Sequence, residues 1–208
     1  GCNSGACHGA AAGKNGFKLS LRGYDPQYDY FAITRDAGGR RIVPSDPGRS
    51  LFLMKPSGAV HHKGGVRFDV ESQEYRVLAD WLAAGSPAPA DEDPRLDRLE
   101  ILPRNVILRP GAQQQFVVMA HFSDGRVEDV TRWAKYTSTN LTVAKVDDAG
   151  RLNVMGNGVG AVVAWYLAQN VVGEVTVPYE ADVPADVYAA AERKNFIDDL
   201  VLAKLQEL

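Results

Sequence analysis

The chain has 208 residues, 45% of them hydrophobic and 24% charged, which gives it material for one large or two small cores and excludes disorder as its main state. Its 23 Lys and Arg against 26 Asp and Glu leave a formal net charge of -3, so no global positive field marks a nucleic-acid binder. No apolar run approaches the roughly 20 residues of a bilayer span, and with only two cysteines, both within the first seven residues, disulfides cannot hold the remainder together.

The first feature with chemical content is Cys2-Asn3-Ser4-Gly5-Ala6-Cys7-His8. Two thiols followed directly by an imidazole is the pattern of covalent haem attachment, in which the thiols add to the vinyl groups and the histidine reaches the iron. The usual spacing has two residues between the cysteines; here there are four, and Asn-Ser-Gly suits a bulge away from the haem edge. The same residues also read as zinc ligands completed by a distant histidine, or as a small disulfide.

From Gly13 to Gly65, frequent Gly and Pro restrict helices to short pieces at Asp29–Asp36 and Arg49–Met54. A domain so rich in loops needs a staple. Haem would supply one, with Phe17, Leu19 and Phe68 among the side chains packed on it. For a sixth iron ligand the order of preference is His62, then His61, then Met54, because His62 stands in a loop leading into the next helix whereas Met54 follows an apolar run typical of core packing. Arg22, Arg35, Arg40, Arg41 and Arg67 are candidates to neutralise the propionates or guide an acidic partner.

The spacing of Tyr75, Leu78, Trp81 and Leu82 predicts an amphipathic helix over Ser72–Ala84 that stops at Gly85. The Pro-rich and acidic stretch that follows is a linker, and the sign of the charge changes there: residues 1–90 carry +3 and residues 91–208 carry -6. Beyond it, Gln115–Phe122, Ala161–Tyr166 and Glu174–Tyr179 are β-rich runs separated by Gly-containing turns, a β-sandwich pattern in which Trp133 and Trp165 read as core. Residues 185–208 return to a helical period, with Ile197, Leu200, Val201, Leu205 and Leu208 in one stripe.

Several of these runs also resemble known families. Gly16–Pro26, Pro44–Leu51, His62–Phe68 and Glu74–Trp81 resemble the planctomycete-type cytochrome c domain, in whose relatives a Met-Pro motif often stands where this chain has the His62 loop. Residues 96–180 resemble a bacterial Ig-like domain of group 2, through Leu108-Arg109-Pro110-Gly111, Ser123–Thr131 and Val143–Asp147. Asn195–Leu200 is similar to the opening of a planctomycete domain of unknown function, which implies that the sequence is a piece of a longer protein.

The resulting expectation is a multidomain chain. A small all-α, class I-like cytochrome c domain spans 1–88, a linker 89–95, an all-β Ig-like sandwich 96–180, and a further linker with a C-terminal helix 181–208. The function expected is that of an exported, periplasmic or cell-surface module with no enzymatic activity of its own. It would hold one haem c through Cys2 and Cys7, ligated by His8 and His62, and pass single electrons to a redox partner protein. The alternatives are a haem-based gas or redox sensor, and an adhesion module that binds carbohydrate or a cell-surface protein through the Ig-like domain. No nucleic acid and no transmembrane segment are expected.

Overall fold

The computed structural model describes residues 2–180 and 183–208, so the expected boundary at 180/181 falls beside residues outside the described set. The chain divides into two compact units, with the division after Asp93, inside the expected linker.

The first unit is helical and loop-rich. Helix α1 spans Pro26–Thr34 and starts earlier than the expected Asp29, because Asp25 caps it by accepting from the Tyr28 backbone N–H at 3.0 Å and Pro26 occupies the first turn. A 3-10 turn at Pro47–Arg49 leads into α2, Leu51–Met54. Helix α3, Gln73–Ala83, is capped by Ser72, whose hydroxyl accepts from Tyr75 N–H at 3.1 Å. The expected stripe faces inward: Leu82 is fully buried and Tyr75, Leu78 and Trp81 are half-buried. The Trp81 ring meets Phe52 edge-on at 6.4 Å, which joins α3 to α2. The buried apolar core is thin, consisting of Leu19, Ala32, Leu53 and Leu82.

The second unit is mainly β-structure. Among the described residues ten strands form three sheets: β1 (Leu96–Leu102), β4 (Val117–Phe122) and β5 (Val127–Asp129); β2 (Asn105–Ile107), β10 (Gln169–Val177), β9 (Gly158–Tyr166) and β6 (Lys135–Ser138); and β3 (Gln113–Gln115), β8 (Arg151–Val154) and β7 (Ala144–Val146), each in that spatial order. All pairings are antiparallel except β2 with β10. The run Gln115–Phe122, expected as one strand, is divided. Phe116, fully buried, donates its N–H to Gly150 O at 2.9 Å, and the chain crosses there from the β3 sheet to the β4 sheet. Strand β9 alternates in burial, with Val162 and Ala164 inward, and its hairpin partner β10 contributes Val175 and Val177 to the same core.

Tyr136 on β6 is 9% exposed and donates its hydroxyl to Thr131 O at 2.9 Å. Burial, more than any charge, pushes its phenol up to about 12, whereas in the unfolded chain it ionises near the ordinary 10. Below pH 10 both states are neutral, so the contribution is complete; between pH 10 and 12 the unfolded chain ionises first and stability falls. Denaturant unfolding of Tyr136→Phe should show a smaller loss over that window, at the cost of one hydrogen bond, about 1 kcal/mol at neutral pH.

The C-terminal helical stretch is interrupted. Helix α4, Ala185–Ala190, and α5, Phe196–Glu207, are separated by a segment in which Asn195 starts α5 with a reciprocal capping box to Asp198. Of the expected stripe, Ile197, Leu200, Val201 and Leu205 are exposed, from 45% to 65%.

A candidate cysteine–histidine cavity

Residues 2–8 form consecutive turns rather than a helix. His8 N–H donates to Cys2 O at 2.9 Å and Cys7 N–H to Ser4 O at 2.9 Å, so the four intervening residues loop out and return His8 beside Cys2. Gly9 completes the turn: its N–H reaches Ser4 O at 3.1 Å, and a Cβ there would collide with the Asn3 carbonyl. The two cysteines are both free and half-buried. Burial raises the Cys2 thiol above its ordinary value, an effect that the nearby Arg67 guanidinium partly opposes. Arg67 also lies 3.7 Å from Cys7 Sγ.

These residues open onto a cavity of about 710 Å³. Cys2, Cys7, His8, Phe17, His61 and His62 line it, and so do Lys14, Arg40, Arg41, Lys55, Lys63 and Arg67, with no carboxylate in the lining. The imidazoles of His8 and His62 are nearly parallel, with 6° between their planes and 6.2 Å between their centres. His8 Nδ1 lies 2.9 Å from Phe17 O, a carbonyl that only accepts, so Nδ1 carries a proton and the lone pair of the neutral ring is on Nε2. His62 Nδ1 is buried without a hydrogen-bond partner. A Cβ at Gly64 would approach the His62 ring to 2.7 Å, so the absence of a side chain there is what allows the ring its position.

Not every expected residue reaches the cavity. Leu19 is core, with its N–H donating to His8 O at 2.8 Å, Phe68 packs edge-on to Tyr75 at 6.3 Å, and Met54 is half-buried; none of the three is in the lining. Between the adjacent histidines, His61 is exposed and His62 half-buried. Of the arginines, Arg40, Arg41 and Arg67 line the cavity while Arg22 and Arg35 do not. Lys14, Lys55, Lys63 and Gly64 were not singled out by the sequence; the signal for Gly64 is its place two residues after His62. In the second unit Trp133, expected in the core, is 36% exposed with Arg132 over its ring at 5.4 Å. Among the described residues, no three His, Cys, Asp or Glu side chains converge as a closed metal site would require, and no helix is long and apolar enough to cross a membrane.

Comparison with known proteins adds a family for the β-structured unit. Residues 97–177 match the bacterial Ig-like domain (group 2). No curated protein matches the chain. Similar solved structures include domains 4 and 5 of the S-layer protein SbsC, at 18% identity over 41% of this chain and 53% of that one with a TM-score of 0.36. A mutant intimin of EHEC O157:H7 shows 23% identity over 40% and 48% with a TM-score of 0.30. The intimin–Tir90 complex gives 23% identity over the same shares with a TM-score of 0.29. The chain thus spans about half the length of these structures. The cysteine–histidine cavity lies outside residues 97–177, which are similar to the bacterial Ig-like domain of group 2.

Proposed function

We propose that the first unit is an exported c-type haem module for single-electron transfer, joined to the Ig-like domain as spacer or surface module. The observation that carries the reading is the pair of parallel imidazoles across a cavity that also holds both cysteines. His8 and His62, whose ring planes are nearly parallel and whose centres are 6.2 Å apart, would be the residues that hold the iron. The cavity volume lies within the range of about 300–1,000 Å³ usual for small-molecule sites. Three further features fit: the unpartnered His62 Nδ1, the space that Gly64 leaves for the ring, and a core too thin to stabilise so many loops unaided. A zinc site would need four ligands converging on one point, and the residues around Cys2, Cys7 and His8 do not offer that set.

Bound haem would supply a one-electron couple. Cys2 and Cys7 would hold it covalently, each thiol adding across a vinyl group so that a C–S bond replaces the vinyl π bond and the thiol proton goes to the other vinyl carbon. His8 would present Nε2 because Phe17 O accepts from its Nδ1–H, and His62 would be the second histidine to hold the iron. Arg41 is paired with Asp36, and the five other cations of the lining exceed the two carboxylates of a haem, which would leave the mouth positive and suited to an acidic redox protein.

The test is the spin state of the haem-loaded chain. His62→Ala should convert a low-spin ferric spectrum to high-spin, and His61→Ala should leave it low-spin. A His62→Ala protein that stays low-spin would remove His62 as a ligand; a wild-type protein already high-spin would favour the gas or redox sensor.

The Ig-like family match supports a second reading, in which the chain's role is binding or spacing at a cell surface and the first unit is a stable cap. On that reading, replacing Cys2 and Cys7 leaves surface binding unchanged.

A further inference from the structure

We infer that Arg41 is the positioning residue for the proximal histidine, setting the orientation and electron-donating strength of His8 through Phe17. The inference rests on the haem reading for its consequence, while the geometry stands by itself. The Arg41 side chain is 8% exposed, which is unusual for a cation and requires its donors to be matched. They are matched from two directions. One arm, NH1, donates to Ala32 O at 2.9 Å near the end of α1, and to Asp36 O and Oδ2 at 3.0 and 3.2 Å. The other, NH2, donates to Gly16 O at 3.2 Å, in the turn that carries Phe17.

The same guanidinium lies 4.4 Å from the centre of the Phe17 ring, and that ring lies 4.6 Å from the centre of the His8 imidazole. Arg41 therefore fixes the peptide preceding Phe17 and the ring of Phe17 together. Phe17 in turn presents its carbonyl to His8 Nδ1–H at 2.9 Å and its ring to the imidazole. A second partner that holds a ligating imidazole in one tautomer also raises its basicity. Here the partner is a backbone carbonyl, and what aims that carbonyl is a buried fork of donors that lysine cannot reproduce with a single ammonium.

Arg41→Lys keeps the charge and loses the fork, which separates positioning from electrostatics. In the chain produced without haem, nitrogen NMR of His8 should show the ratio of the Nδ1–H to the Nε2–H form falling about fivefold, the loss of one hydrogen bond's preference. In the haem-loaded chain the reduction potential should rise, since a less basic ligand favours the ferric state less. Phe17→Leu, which removes the ring and keeps the carbonyl, should move both readouts in the same direction by a smaller amount, and it decides the matter if Arg41→Lys does not fold. An unchanged tautomer ratio in a folded variant would overturn the inference, whatever the loss of stability. A shifted ratio in a chain that takes up no haem would uphold the Arg41–Phe17–His8 linkage and refute the haem reading alone.

Discussion

Cys2→Ser/Cys7→Ser, expressed with a c-type haem attachment system, is expected to lose all covalently held haem. Serine is close to cysteine in size, but its hydroxyl is far too weak a nucleophile at neutral pH to add to a vinyl group. The single variants should each retain one thioether. Cys2 is the thiol that burial makes harder to ionise. Cys7→Ser should therefore lower the yield of attached haem more than Cys2→Ser does. The measurement is haem-stained electrophoresis under denaturing conditions. Equal haem in the double variant and the wild type would show that the cysteines do not attach it.

Phe116→Ala is expected to destabilise the β-structured unit by about 3–5 kcal/mol, the cost of deleting a fully buried aromatic ring. Relaxation has little scope there, because Phe116 packs so closely on β10 that a Cβ at Gly173 would come within 2.8 Å of its ring. The loss is comparable to the total stability of many domains, about 5–15 kcal/mol. Because the chain divides after Asp93, the spectrum of haem in the first unit should be unaffected. Unfolding followed by tryptophan fluorescence, alongside the haem spectrum, reads both; simultaneous loss of the two signals would contradict independent units.

The parts of the molecule differ in how far residue order reveals them. Cys2, Cys7, His8 and His62 stand out in the sequence because few residue types can ligate a metal, and the chain brings them to one cavity together with Phe17. Leu19 and Phe68 are not separable by sequence from ordinary core, and both pack elsewhere. The Asp25-Pro26 pair illustrates an ambiguity of local signals, since the same residues that break a helix also cap and start one. Phe116 illustrates a limit of periodicity: an unbroken apolar run gives no sign of where a strand leaves one sheet for another. Arg41 stands in the sequence as one candidate among five arginines, and what sets it apart is its burial on partners that lie 5, 9 and 25 residues away, Asp36, Ala32 and Gly16.

The most direct test of the account is the absorption spectrum of the chain produced with a c-type haem attachment system, recorded oxidised and reduced and again after extraction under denaturing conditions. The account predicts a low-spin haem spectrum whose colour remains with the denatured polypeptide. A colourless protein, or haem that leaves on extraction, would contradict it.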